Sequence, residues 1–447
     1  MSIFDGKRLT NDTFKLDIRR MQEGWYSDKY FVNIAKMLTI LAEKNYTYQG
    51  QAHNLPPGLS AEDSPSGDIE VEMQWFTRRH GETIVVGVDK TLSMIRHCTG
   101  YFKNDQFINT ADQLEVWAVQ DGCKVHSNGD PMNVEPVLKV RGRYRDFALL
   151  ETATLGILTR ASRVATNVYE TLKAAEGKPV LFFPARFDLH EVQASDGYAY
   201  KIAVQRFNMD FAGKLDTFIS TDAQGDWWGG AGGGTVAHAA IASFLGDTSE
   251  AMLAFAETLS PKIPRIALVD FNNDCVTDSL KVCKAMFERY LKCLQEGHTE
   301  EANRYKLYGV RLDTSSYLRD LSVPPLGDPS LDLGVIPRLV FLVRQALDNA
   351  WEDWSFPEEW CQEAKEFSQN VKIVVSGGFN PDKIRRFEKL AVPADLYAVG
   401  SSLFDNHGRT VTNFTADVVR VKVQGQWVDM AKVGRRPLPN LNLEKVW

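Results

Sequence analysis

Reactive side chains stand next to small residues at several points of this 447-residue chain. His238 closes the run Gly229-Gly230-Ala231-Gly232-Gly233-Gly234-Thr235-Val236-Ala237 and leads into the apolar stretch Ala239 to Phe244. A glycine-rich segment feeding a helix start lets the backbone approach an anion closely, with free N–H groups pointing outward. An imidazole placed there can meet a phosphate as base, donor or nucleophile. The plainer alternative is a histidine hydrogen-bonded within its own loop.

Further along, Arg186, Asp270, the pair Arg311 and Asp313, Ser376-Gly377-Gly378 and Gly400-Ser401-Ser402 each follow or end a short apolar run. Arg311 and Asp313 lie two apart, so on a strand both side chains face the same way. They are either a buried ion pair, which costs several kcal/mol per ion unless well satisfied, or a substrate-facing pair. Ser376-Gly377-Gly378-Phe379-Asn380-Pro381 combines small residues with a helix start, since Asn380 suits an N-cap and Pro381 the first helical position. With the Gly400 loop it reads as a phosphate cradle. Two ordinary turns would need the same glycines.

These residues need a scaffold that brings distant segments to one end. The chain supplies short apolar strands at Val180–Phe183, Ile266–Val269, Tyr308–Leu312, Val371–Val375 and Asp395–Val399, with a weaker one near Leu215–Ser220. Helical segments separate most of them, such as Asp278–Gln295 and Leu333–Ala350. Alternating strand and helix implies a parallel sheet, here an irregular (β/α) barrel with its chemistry at the C-terminal strand ends.

The flanks differ. Ile69–Met73 and Leu114–Val119 alternate apolar and polar residues, as half-buried antiparallel strands do. Val418–Val423, the turn Gln424-Gly425 and Gln426–Val428 repeat that pattern at the C-terminal end. The expected organisation is a mixed α/β domain over 1–140, a barrel over 141–404, and strands over 405–447 that return to the first domain. Asn54 to Ser66, rich in Pro, Gly and Ser, reads as a loop. A helix is expected over Ala148–Ala175, and the cationic series Lys139, Arg141, Arg143, Arg145, Arg160 and Arg163 is either a solvated face or a gatherer of polyanions.

Bulk properties exclude several classes. A charge of −7 argues against nucleic-acid or anionic-membrane partners. No apolar run is long enough to span a bilayer, and the start lacks the apolar core of a signal peptide. The six cysteines form no CxxC pair, so no structural zinc site is expected, and free buried thiols in a reducing cytoplasm are.

Taken in order, Tyr26–Phe31, Leu150-Glu151-Thr152, Arg163–Asn167, Gly234–His238, Ala267–Asp270, Tyr308–Thr314, Val374–Gly378 and Val399-Gly400-Ser401 resemble the nicotinate phosphoribosyltransferases, above all the archaeal type. The resemblance implies an irregular barrel with a mixed α/β domain built from both chain ends, in a homodimer with shared active sites. It implies the joining of nicotinate to phosphoribosyl pyrophosphate, with magnesium, in NAD biosynthesis. It also implies ATP hydrolysis coupled through a transient phosphohistidine at His238. By the same matching Tyr30 stacks on the pyridine ring from the neighbouring subunit, and Arg186, Thr235 and Arg311 contact nicotinate. Ser376, Gly377, Gly378, Gly400 and Ser401 hold the ribose 5-phosphate, and Phe187 stands where the family carries a second arginine. Asp270 and Asp313 suit stabilisation of an oxocarbenium-like state or retention of magnesium. A nicotinamide- or quinolinate-using enzyme of the same fold, or a catalytically silent relative, remains open. Nicotinamide would need a carboxylate acceptor such as Asp216, Asp222 or Asp226.

Overall fold

The computed structural model describes residues 3–52 and 55–447. Asn54, which opens the Pro/Gly/Ser-rich loop, lies outside the described residues. The chain forms two compact units. The first comprises Met1–Tyr169, Ala194–Asp210 and Asp405–Trp447; the second comprises Glu170–Gln193 and Phe211–Phe404.

The first unit is organised by a six-stranded sheet. Its order is Gln426–Asp429, Phe414–Val423, Glu70–Thr77, Leu138–Arg143, Glu115–Ala118 and Glu444–Lys445, with every pairing antiparallel. The C-terminal strand Phe414–Val423 thus lies beside Glu70–Thr77, with Trp75 opposite Ala416 on one side and Leu138 on the other. The half-buried strand expected near Ile69–Met73 is buried along nearly its whole length. One reason is a helix, Glu151–Ala174, laid against this unit. Its Thr154 hydroxyl accepts the Trp75 indole N–H at 3.1 Å. Ser162 and Thr166 accept the backbone N–H groups of Val86 and Ile84, each at 3.0 Å. Hydroxyls repeated at helical spacing thereby satisfy polar groups that burial would otherwise leave unpaired.

The cationic series is largely absorbed here. Glu72, 1% exposed, receives Arg141 at 2.7 Å and Arg420 at 3.2 Å. Arg143 pairs with Asp146, Arg145 with Asp68, and Arg160 with Asp196. These arginines are neither a solvated face nor a polyanion patch, because acids of the same unit face them.

The second unit holds a five-stranded parallel sheet, ordered Val180–Phe182, Leu396–Val399, Lys372–Val375, Leu307–Leu312, Arg265–Leu268. Its inner strands are short and apolar because helices cover them, as parallel sheets require. Helix Cys275–Gln295 illustrates the packing. Asp274 caps it, accepting from Thr277 N at 3.0 Å, and Ser279, Val282, Cys283, Met286 and Tyr290 fall on its buried stripe. The Leu333 helix begins later than expected, at Pro337, which occupies its first position.

The weak sixth strand contributes one parallel bridge, Phe182 to Ile219. Its far side is taken by the glycine run, since Gly233 N donates to Ile219 O at 2.8 Å. The ladder among the described residues is therefore open there, which is where the barrel is irregular. The second unit also begins later than residue 141. Strand Leu138–Arg143 is bound between two strands of the first sheet, and the residues after it continue into that unit's helix. No helix among the described residues is long and apolar enough to cross a membrane. The six cysteines are free thiols, but burial holds only for Cys98, Cys123, Cys275 and Cys283; Cys293 and Cys361 are partly exposed on their helices.

Candidate active site

A cavity of about 410 Å³ opens at the C-terminal ends of the parallel strands. Its lining includes Arg186, His238, Arg311, Asp313, Ser376, Gly377, Gly378, Gly400 and Ser401. A larger space of about 530 Å³ lies at the opposite strand ends, beside Arg265, Leu307 and Lys372. There the Arg265 guanidinium is already engaged by the carbonyls of Arg304, Ser260, Ile263, Ala256 and Leu259. The smaller cavity gathers Arg186, His238, Arg311 and Asp313 and is the better candidate for chemistry.

His238 opens the helix His238–Ser243. Its Nε2 lies 3.1 Å from both carboxylate oxygens of Asp270. The imidazole is 48% exposed, whereas the Asp270 side chain is 9% exposed, so the pair has a buried end and an open end. Burial raises the Asp270 pKa above the usual carboxylate range, and the adjoining imidazole pulls it back. Asp270 itself is not a lining residue; it reaches the cavity through His238.

Arg311 and Asp313 are not an ion pair. Asp313 Oδ1 accepts the Ser376 hydroxyl at 2.8 Å. Arg311 Nε is buried with no hydrogen-bond partner among the described residues. Burial lowers the Arg311 pKa, opposed by the fields of Asp313 and Asp270 and reinforced by Arg186. A buried donor without a partner is costly unless a ligand completes it.

The two loops that read as a phosphate cradle lie side by side. Gly377 and Gly378 adopt φ of +84° and +67°, which favours glycine at both. Asn380 caps the next helix, Pro381–Lys389, accepting from Lys383 N at 2.9 Å. The Ser402 hydroxyl donates to Phe379 O at 2.9 Å and ties the loops together. A Cβ on Gly400 would come within 2.7 Å of the Phe187 ring. Phe187, in turn, lies under the Arg186 guanidinium at 5.2 Å from its ring centroid. The aromatic ring thus packs the loop and supports the arginine.

The glycine run is built for close packing more than for anion capture. Only Gly229 among its glycines has a positive φ, +80°. A Cβ on Gly232 would meet the Thr221 backbone at 2.7 Å, and one on Gly230 the Trp228 ring at 2.3 Å. Gly232 N donates to Asp222 Oδ1 at 2.8 Å, and Trp228 Nε1 donates to Gln224 O at 2.9 Å. The Trp227-Trp228 pair before the run is thereby explained for its second member: Trp228 is the surface on which Gly230 folds. Thr235 stands in the loop just before His238 but does not line the cavity. Asp216, Asp222 and Asp226 do not line it either. Tyr30 belongs to the first unit, where it is 57% exposed and its hydroxyl donates to Asp28 Oδ2 at 3.2 Å. Lys383 falls outside the expected site; a lysine in the first turn of a helix, where cations are disfavoured, is the one signal readable in the sequence.

The arrangement joins two cations, one carboxylate, an imidazole–carboxylate pair and two glycine-serine loops. That is the equipment for a substrate with several anionic groups reacting at a carbon that gains positive charge. Residues 65–162 match the family model of the quinolinate phosphoribosyl transferase N-terminal domain. In fold the chain is similar to nicotinate-nucleotide pyrophosphorylase from Pyrococcus furiosus, with TM-score 0.62 and 23% identity over 94% of this chain and 80% of that one. It is also similar to human nicotinic acid phosphoribosyltransferase, with TM-score 0.53 and 16% identity over 88% of this chain and 74% of that one. These likenesses are of fold, and the family-model match lies within residues 65–162.

Proposed function

We propose that this protein is a nicotinate phosphoribosyltransferase, forming nicotinate mononucleotide and pyrophosphate from nicotinate and phosphoribosyl pyrophosphate in NAD biosynthesis, with ATP hydrolysis coupled through His238. The observation that carries this reading is the His238–Asp270 pair opening onto a cavity with two glycine-serine loops.

The geometry supports the following roles. The Ser376–Gly378 and Gly400–Ser401 loops hold the ribose 5-phosphate with N–H and hydroxyl groups. Arg311 and Arg186 meet the nicotinate carboxylate, and Arg311 Nε gains the partner it lacks. Displacement at the anomeric carbon builds positive charge on the ribose, which Asp313 faces from the cavity wall. Asp270 and Asp313 also suit magnesium, which takes one or two carboxylates and completes its shell with water and substrate phosphates. Bound there, the ion would neutralise the departing pyrophosphate.

With Nε2 donating to Asp270, the Nδ1 lone pair of His238 attacks the γ-phosphorus of ATP. The bond to the bridging oxygen breaks, ADP leaves with those electrons, and Asp270 takes up the charge on the imidazole. Tyr30 supplies a ring surface to the neighbouring subunit's site. Exposed Trp25, Tyr26 and Met37 of the same unit are apolar surface suited to burial in a homodimer.

A second reading is supported by the family-model match over 65–162: quinolinate as the base, whose two carboxylates could use both arginines. It gives the His238–Asp270 pair no task. Nicotinamide is the least supported base, since none of Asp216, Asp222 and Asp226 lines the cavity. Incubating the protein with phosphoribosyl pyrophosphate, magnesium and each base, with and without ATP, decides among them. Nicotinate turnover stimulated by ATP is the expected result. ATP-independent release of carbon dioxide from quinolinate, with no nicotinate turnover, would overturn the proposal.

A further inference from the structure

Lys383 stands outside every motif considered above. It is the third residue of the nine-residue helix Pro381–Lys389. A cation in the first turn of a helix opposes the macrodipole, so helix stability does not account for it. Its side chain folds back toward the preceding loop. Nζ donates to Gly377 O at 3.2 Å and sits 4.1 Å from the Phe379 ring centroid. Gly377 and Phe379 both line the cavity.

No carboxylate pairs with Lys383 among the described residues. The adjacent Asp382 bonds Arg385 instead. Phe379 and Phe387, the rings packed on the ammonium, carry no charge. The remaining charged groups of its helix are Arg385, Arg386, Glu388 and Lys389; Glu388 is bound by Lys178 and by the Tyr397 hydroxyl. Burial alone lowers the Lys383 pKa, to about 8. An ordinary lysine stem would lie along apolar surface with its ammonium in water. This one holds a carbonyl of the phosphate loop.

We propose that Lys383 is the positioning residue of that loop: it pins the Gly377 carbonyl so that the loop's N–H groups face an incoming phosphate, and it sets a positive charge behind the phosphate. The inference rests on the phosphate role given to this loop under the proposed function. A bound phosphate dianion strengthens the hold of Lys383 on its proton. Phosphate binding then takes up protons near and above pH 8, and affinity falls as Lys383 deprotonates in the free protein.

Titration calorimetry of the full chain with ribose 5-phosphate, in buffers of different ionisation enthalpy, tests this. Wild-type affinity is expected to fall about tenfold between pH 7 and pH 9, with measurable proton uptake. Lys383→Met should bind about tenfold more weakly at pH 7 and lose the fall. Lys383→Arg, which stays charged, should restore binding at pH 7 to within about threefold and also lose the fall. In turnover, Lys383→Met should raise KM for phosphoribosyl pyrophosphate and leave kcat within about twofold. A Lys383→Met protein that binds like wild type and keeps the pH dependence overturns the inference alone. Wild-type protein with no affinity for ribose 5-phosphate overturns the reading of the loop as well. Should Lys383→Met fail to fold, the wild-type proton uptake and the Lys383→Arg profile decide; absence of uptake overturns the inference.

Discussion

Replacing Asp270 with asparagine separates the two halves of the proposed chemistry. The substitution conserves shape but removes the charge facing His238 Nε2, which lies 3.1 Å from both oxygens. An asparagine can also turn its amide N–H to Nε2, which forces the proton onto Nδ1 and removes the nucleophilic lone pair. Because the imidazole end is half exposed, the full low-dielectric Coulomb energy does not apply. A charge-assisted hydrogen bond contributes about 2 kcal/mol, or roughly 30-fold in rate at about 1.4 kcal/mol per decade. The wrong tautomer adds a further factor, so a loss of about 10²- to 10³-fold in ATP hydrolysis is expected, short of the roughly 10⁴-fold seen when a protease triad loses its carboxylate. The assay is rapid-quench labelling with γ-labelled ATP, scored as acid-labile protein phosphate, beside ATP-free synthesis of nicotinate mononucleotide. Labelling within threefold of wild type would refute the reasoning. An equal loss in ATP-free synthesis would move Asp270 from the histidine to the ribose or its magnesium.

His238→Asn should abolish both ATP hydrolysis and labelling, leaving slow ATP-independent synthesis; persistent labelling in that variant would return His238 to a structural role. Gly377→Asp forces a side chain onto a backbone at φ +84°, about 3.4 Å from Asp313 Oδ1, and should raise KM for phosphoribosyl pyrophosphate by at least about tenfold; an unchanged KM rejects the phosphate loop. Mixing Tyr30→Ala subunits with His238→Asn subunits should restore one working site per mixed dimer, and no rescue in confirmed mixed dimers counts against shared sites. Burial, with Asp417 and Asp28 nearby, raises Glu151 to about 8, against about 4.3 in an unfolded chain. Between those values the folded state holds the proton and the unfolded state has lost it, so this group's contribution to stability falls as pH rises from about 4 to about 8. Glu151→Gln does not titrate, and its Tm relative to wild type should be higher at pH 8 than at pH 5; a constant difference refutes the burial argument.

Much of the second unit was legible because its signals are local. A short apolar strand followed by Arg, Asp or Gly-Ser is readable within about ten residues, and in a parallel sheet such ends share one side whatever the strand order. That reasoning reaches Arg186, Arg311, Asp313, Ser376 and Ser401 without knowing any neighbour. It does not reach the Ser402 bond to Phe379 O, or the return of Lys383 to Gly377 O, because those depend on how two loops and a helix turn meet.

The sequence by itself determined the alternating strands and helices, the Asn380 cap, the free cysteines and the set of charged residues at strand ends. Each depends on backbone propensity or on spacing along one element. The tertiary structure alone decided which charges are used. Glu72 neutralises arginines that sequence spacing leaves as a cationic stripe, whereas Arg311, with Asp313 two residues away, is left without that acid as its partner. It also decided that the glycine run serves packing against Thr221 and Trp228, and that Phe414–Val423 closes a sheet begun at Glu70. The physical reason is the same in each case. Burial, Coulomb fields and strand pairing act through space over a few ångströms, between groups that the chain separates by tens to hundreds of residues.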